Sequence, residues 1–275
     1  MTAFKEMAGR VAVVTGGASG IGKGIARRLK AEGMQLVLAD IEPDALEQAA
    51  AELGAVGVPT DVSSFESVEA LAAEVERRFG RVDLVCNNAG VGSTARIADM
   101  SLSDWRWILG VNLWGVIHGV KAFLPRLLAN PDGGHIVNTA SMSGLRTMPT
   151  LGGYAVTKYG VVALSETLAE ELALDGAKVG VTVLCPGPVH SNIKESSRNR
   201  PASLGGGALA DTDLEKDPAG SQMRWLDPDE AGDVVVQAIR RGDLYALTHP
   251  EMAPVAQARF DAIAEAFRLA SGRAR

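Results

Sequence analysis

Residues 10–31, RVAVVTGGASGIGKGIARRLKA, run from a short apolar stretch through a glycine-rich turn directly into an amphipathic stretch. Arg10 to Thr15 reads as a strand, and Gly20 to Ala31 as the helix that follows it. Glycines at such a turn let the backbone bend tightly. They also let it approach an anionic group lying at the helix N-terminus, whose free N–H groups favour negative charge. Few folds bring a strand into a helix this way, so the turn constrains the rest of the chain.

The same alternation continues. Gln35 to Asp40, Ala55 to Pro59, Val82 to Asn87, His135 to Thr139, Val179 to Leu184 and Leu244 to Leu247 read as further strands. Helices are expected from Pro43 to Leu53, Ser64 to Phe79, Ser103 to Ala129, Gly153 to Leu174 and Asp229 to Arg240, with an amphipathic tail from Ala253 to Leu269. Pro43 suits a first helical turn, and Gly80 a helix stop. Strands alternating with helices predict an α/β fold: one doubly wound parallel sheet of about seven strands, helices on both faces. No linker or repeat divides residues 1–275, which read as a single domain. Residues 190–223 are polar and glycine-rich, the length of loop that usually has a function.

The 275 residues are 47% hydrophobic, enough for a substantial core, and carry a formal charge of -6. No dense basic block suggests nucleic acid. The N-terminal MTAFKEMAGR lacks the apolar centre of a signal peptide, and no apolar run is read as a bilayer span of about 20 residues. Cys86 and Cys185 lie in apolar segments and read as buried free thiols. No group of His, Cys, Asp and Glu has metal-ligand spacing. A reducing, cytoplasmic setting is the expectation.

Asp40 closes the second strand. An acidic side chain there can bond both adenosine ribose hydroxyls and repels a 2′-phosphate. Neither Ser19 nor Ile41 supplies a cation to hold such a phosphate, so NAD is expected over NADP. Asp61 ends the third strand, where it can either cap the adenine amino group or simply start a loop.

Tyr154 and Lys158 are four residues apart, thus on one helical face. A free phenol titrates near pH 10. A cation about 4 Å away, at an effective dielectric of about 20, is worth about 4 kcal/mol, enough to lower the phenol by about three pH units. The expectation is a proton-transfer pair, with the Ser141 hydroxyl holding a substrate oxygen.

With TGGASGIG, Asp61-Val62, NNAG (Asn87 to Gly90), Asn112, Ser141, Tyr154, Lys158 and PGPV (Pro186 to Val189) in this order, the chain resembles a short-chain dehydrogenase/reductase from Arg10 to about Leu247. The resemblance implies a Rossmann-like fold, an NAD-dependent alcohol dehydrogenase or ketone reductase, and pro-S hydride transfer. Tyr154 would be the general acid/base and Lys158 would bind the nicotinamide ribose. Ser141 would orient the substrate, and Asn112 would hold a water joining Lys158 to solvent. Gly16, Ser19, Gly20, Ile21, Gly22, Asp40, Asp61, Val62, Asn88, Ala89 and Gly90 would form the adenosine side of the cofactor site. Pro186, Gly187, Val189 and Ser191 would form the nicotinamide side. The family often has a threonine where this chain has Ser191.

The remaining candidates have ordinary roles as well. His118 and His135 read as structural. His190 and His249 lie nearer the expected pocket, where each suits either substrate contact or a surface loop. Trp105, Trp107 and Trp114 suit core or subunit packing. Alternatives to the leading function are an NADP-linked ketoacyl reductase, which Asp40 opposes, and a dinucleotide-sensing protein without turnover. Parts of residues 191–201 and 244–251 are similar to bacterial dehydrogenases of bulky benzylic alcohols of the lignin aryl-ether type. That similarity implies a bulky hydrophobic alcohol or ketone as partner. Residues 190–223 are expected to be a substrate lid carrying Ile193 and Leu204, with Gly205 to Gly207 as a hinge. Residues 250–275 are expected to be a helical extension. Apolar positions including Val116, Val161 and Val162 suggest a second apolar helix face, and thus a homodimer or homotetramer.

Overall fold

The computed structural model describes residues 3–217 and 220–273, so small parts of the expected lid and tail (residues 218–219 and 274–275) lie outside the described residues. The strands are β1 (Val11–Thr15), β2 (Gln35–Asp40), β3 (Val56–Pro59), β4 (Leu84–Asn87), β5 (Gly134–Thr139), β6 (Val179–Cys185) and β7 (Tyr245–Leu247). They form one parallel sheet in the order β3-β2-β1-β4-β5-β6-β7. The helices are α1 (Gly20–Ala31), α2 (Pro43–Leu53), α3 (Phe65–Phe79), α4 (Leu102–Leu109), α5 (Gly115–Ala129), α6 (Gly152–Leu174), α7 (Pro228–Arg241) and α8 (Ala253–Arg273).

Period-two alternation divides each strand between two cores. In β1 and β2, Ala12, Val14, Leu36 and Leu38 join Ile25, Leu29, Val235 and Ile239 on one face. Val11, Val13, Val37 and Ala39 join Leu71, Val75, Phe123 and Leu127 on the other. Burial on both faces is why these strands read as unbroken apolar runs. The strand order reverses between β1 and β4, and a crevice opens there beyond the carboxyl ends of the strands.

Three differences from the sequence reading have clear causes. The helix expected to open at Ser103 begins at Leu102. Ser101 is its cap, accepting from the Asp104 amide while the Asp104 carboxylate accepts from the Ser101 amide, a reciprocal pair that fixes the start. The expected single helix also contains a π-turn at Gly110–Trp114, between α4 and α5. Taken together, Leu102–Ala129 is long and apolar enough to cross a membrane, unlike the sequence reading, but half of its most apolar window is buried inside the protein. Finally, Val116, Val161 and Val162 are buried within the subunit, so they form no second apolar face. The apolar residues that face outward on these helices are Trp114, Leu128, Val156 and Leu174. The α8 helix is exposed along nearly its whole length, with the Arg259 guanidinium 5.0 Å from the Tyr159 ring centre.

Candidate active site

The crevice holds a cleft of about 1070 Å³ that runs from Asp40 to Tyr154 and Lys158. At one end the glycine turn is packed too closely for side chains. A Cβ on Gly16 would lie 2.8 Å from the Cα of Ala89, and one on Gly22 would run into the carbonyl oxygen of Gly16. Gly20 has φ +50°, a left-handed conformation that favours glycine. The bare backbone at the start of α1 thus forms one wall of the cleft. Thr15, which the sequence reading did not single out, ties this turn to the opposite strand: its Oγ1 accepts from the Asn88 and Ala89 amides at 2.9 and 3.1 Å.

Gly16, Ser19, Gly20, Ile21, Asp40, Asp61, Val62, Asn88, Ala89, Gly90, Pro186 and Ser191 all line the cleft, as do Tyr154 and Lys158. The Asp40 carboxylate accepts from the amides of Ala18 at 3.0 Å and Glu42 at 3.2 Å. Burial pushes its pKa up, and these bonds oppose the rise. The Asp61 carboxylate accepts from the Ser63 amide and hydroxyl at 2.9 and 2.7 Å, so it also begins the following turn.

The remaining expected residues stand behind the wall. Gly22 lies under the turn. Gly187 packs on His249, whose ring a Cβ there would meet at 2.6 Å, and its amide donates to Thr248 Oγ1 at 3.1 Å. Val189 is buried and pairs with Leu226. His249 is itself buried, its Nε2 3.0 Å from the Arg224 carbonyl, so it buttresses the Pro186–Val189 loop rather than occupying a surface loop. His190 is exposed, 2.7 Å from Glu215 and stacked on Trp225.

Tyr154 and Lys158 lie one turn apart on α6, with the ammonium 5.4 Å from the phenol ring centre. Lys158 is 3% exposed and donates to the Thr139 carbonyl at 2.9 Å. Burial lowers its pKa to about 8. The expected drop of the Tyr154 pKa is absent from the protein alone. Burial raises the phenol to about 12, and a hydrogen bond with Ser141 only partly offsets that. Removal from water outweighs the cation, whose own charge is made costlier by the same burial. Ser141 follows β5 in extended backbone, and its Oγ also accepts from the Ser143 amide at 3.0 Å, so the nearby Ser143 holds Ser141 in place.

Asn112 occupies the π-turn. Its Oδ1 accepts from the Val91 amide at 2.8 Å, and its Nδ2 donates to the Val91 carbonyl at 2.9 Å. Both ends of the amide are thus engaged with the loop after β4. A Cβ on Gly90 would sit 3.4 Å from Asn112 Oδ1 and 3.7 Å from Lys158 Nζ, so glycine there leaves the two groups facing one small space.

The segment from 190 to 217 covers the cleft. Ile193 and Ser196 line it, and Leu204 packs on Val91, Trp107 and Tyr154. The glycines at 205–207 are pinned: the Gly205 carbonyl accepts from Arg200 Nε at 2.8 Å, and a Cβ on Gly207 would collide with Asp104. Asp104 is fully buried and meets Arg200 Nη1 at 2.5 Å, while the guanidinium lies 5.4 Å from the Trp107 ring centre.

Comparison with known proteins agrees with this geometry. The short chain dehydrogenase family profile matches residues 10–202. C alpha-dehydrogenase of Sphingobium sp. strain SYK-6 is 34% identical over 267 residues, covering 94% of this chain and 87% of the relative. The oxidoreductase EphD of Mycobacterium tuberculosis H37Rv is 36% identical over 240 residues, 83% of this chain but 39% of that longer protein. A short-chain dehydrogenase/reductase from Burkholderia phymatum, solved in complex with NAD, superposes with a TM-score of 0.88 at 38% identity, covering 94% of this chain and 96% of the other. A family match over most of the sheet, joined to a glycine-walled crevice ending in a tyrosine–lysine pair, leaves one conclusion: this chain belongs to the short-chain dehydrogenase family of oxidoreductases.

Proposed function

We propose that the protein is an NAD-dependent dehydrogenase interconverting a bulky secondary alcohol and its ketone. The observation that carries this reading is one continuous cleft, with the glycine turn and Asp40 at one end and Tyr154 and Lys158 at the other. The close-packed glycines fit a pyrophosphate against the start of α1. Asp40 fits the adenosine ribose hydroxyls and opposes a 2′-phosphate. The nicotinamide of such a cofactor supplies the hydride acceptor.

The chain's own residues then manage the proton. Ser141 holds the substrate oxygen beside the Tyr154 hydroxyl. In the reductive direction the phenol donates its proton to the developing alkoxide; in the oxidative direction the alcohol proton passes to the phenolate. Lys158, held by the Thr139 carbonyl, keeps positive charge beside the phenol and fits the nicotinamide ribose. Asn112 positions the Val91 loop opposite Lys158. Similarity to C alpha-dehydrogenase supports bulky benzylic alcohols as the first substrates to try, and the apolar cover of Ile193 and Leu204 suits such a molecule.

A panel of bulky benzylic, steroid and terpene alcohols, followed by NADH absorbance, tests the reading. Tyr154→Phe is expected to keep NAD binding and lose about 10² to 10⁴-fold in turnover. Turnover near that of the unmodified protein would remove Tyr154 from the mechanism. We further propose that the outward apolar residues of α5 and α6, Trp114, Leu128, Val156 and Leu174, support self-association. Light scattering at micromolar concentration checks this, and a stable monomer contradicts it.

A further inference from the structure

At the Asp40 end of the cleft, two segments distant in sequence meet. Glu42 is the N-cap residue of α2, two positions after Asp40. Its Oε1 accepts from Arg198 Nε at 3.1 Å, from Arg198 Nη2 at 2.6 Å and from Asn199 Nδ2 at 2.8 Å. Asp40, Ile41, Glu42, Arg198 and Asn199 all line the same cleft.

The other side of the guanidinium is already committed. Arg198 Nη1 donates to the carbonyls of Asn192 at 3.0 Å and Glu195 at 2.6 Å. These bonds aim the Nε–Nη2 edge across the rim. Such an edge matches two oxygens of a phosphate as readily as a carboxylate. In this protein Glu42 occupies it, and the bonds from Arg198 and Asn199 hold the Glu42 carboxyl below its usual range. The rim therefore holds two carboxylates, Asp40 and Glu42, and one guanidinium.

We propose that Glu42 is a second determinant of cofactor choice: by engaging the Nε–Nη2 edge of Arg198, it withholds from a 2′-phosphate a cation already aimed at the ribose end of the cleft. Removing the Glu42 carboxylate leaves Arg198 anchored through Nη1, frees its second edge, and lifts one negative charge from the rim. The inference rests on the reading of the cleft as a nicotinamide dinucleotide site. It differs from the role of Asp40, which acts by direct contact and repulsion.

The test measures binding of NAD and NADP, without substrate, by quenching of intrinsic fluorescence. The proteins are the full chain, Glu42→Ala, Glu42→Gln, Arg198→Ala and the double variant Glu42→Ala/Arg198→Ala, each checked for folding by thermal melting. Glu42→Ala is expected to tighten NADP relative to NAD by about tenfold, the scale of one charge-assisted hydrogen bond. Glu42→Gln, which keeps a bond to the guanidinium, should show a smaller gain. The double variant should lose the gain. No gain in Glu42→Ala overturns the inference, and so does a gain that persists without Arg198. Failure of the unmodified protein to bind either dinucleotide would sink the cofactor reading itself and this inference with it. Normal NAD binding with unmoved NADP affinity would sink this inference alone.

Discussion

The two walls of the cleft are held by different forces. On the β1–α1 side the wall is backbone against backbone: Gly16 against Ala89, and Gly22 against Gly16. On the 190–217 side it is held by polar pairs between remote segments: Arg198 with Glu42, Arg200 with Asp104, Lys194 with Asp213 and Ser197 with Asp211. A backbone contact admits almost no substitution. An ion pair can be weakened by degrees, and its worth depends on how far it is buried. The first wall therefore has one workable sequence, and the second is adjustable.

The largest effect should come from breaking the rigid wall. Gly22→Val places a branched side chain against the Gly16 carbonyl and the Asn88 amide nitrogen. We expect a loss of about 3 kcal/mol or more in urea unfolding, together with loss of dinucleotide binding. A stable, NAD-binding Gly22→Val protein would show that this wall can give way.

The adjustable wall should respond in proportion to burial. Arg200→Ala leaves a fully buried Asp104 with only its Ser101 and Ala208 partners, at a cost of about 3 kcal/mol. Lys194→Ala removes an exposed cation from Asp213 and should cost under about 0.5 kcal/mol. Equal effects in the two variants, read from urea midpoints, would contradict the difference drawn between buried and exposed pairs.

Acid separates the sheet from its cover at an intermediate scale. His135 is fully buried in β5, bonded through Nε2 to Thr182 Oγ1 at 2.8 Å, and burial lowers its pKa from 6.5 to about 3. The folded protein then binds fewer protons than the unfolded chain between those values, so stability falls as pH drops below 6.5. The slope from this one group is at most about 1.4 kcal/mol per pH unit. Asp104 behaves differently. Burial pushes it up, but hydrogen bonds from Arg200, Ser101 and Ala208 outweigh that and hold it at about 2. Its contribution, present above 3.8, fades only as pH falls toward about 2. Urea unfolding between about pH 6.5 and 4 should therefore show a loss that His135→Asn reduces and Asp104→Asn does not. A slope unchanged in His135→Asn would remove that histidine as its source.

This division also explains what could be read from the chain. The glycine turn, the Ser64 cap of α3, the Gly80 stop with φ 69° and Pro43 at the start of α2 are local events whose causes lie within a few residues. The strands were legible because burial on both faces leaves unbroken apolar runs. Tyr154 and Lys158 could be placed on one face by spacing alone. Their proton affinities could not, because these depend on burial by elements distant in sequence. Arg198 and Glu42 are 156 residues apart, and Arg200 and Asp104 are 96 apart, so no local pattern signals either pair. The π-turn was equally hidden, since its residues have the same apolar character as the helices on either side.

That turn has a mechanical consequence. In a regular α-helix each residue advances the side chains by about 100°. A π-turn adds one residue to a turn and so shifts the phase of everything beyond it. In this protein the part before it, α4, presents Asp104, Trp107 and Ile108 toward the cover and the Val91 loop, whereas the part after it, α5, presents Val120, Phe123 and Leu127 to the sheet. The turn behaves as a fixed angular coupling between two rigid shafts. Taking one residue out of Gly110–Trp114 would straighten the helix and swing one set of contacts about a quarter-turn away from its partners, even with every other side chain unchanged.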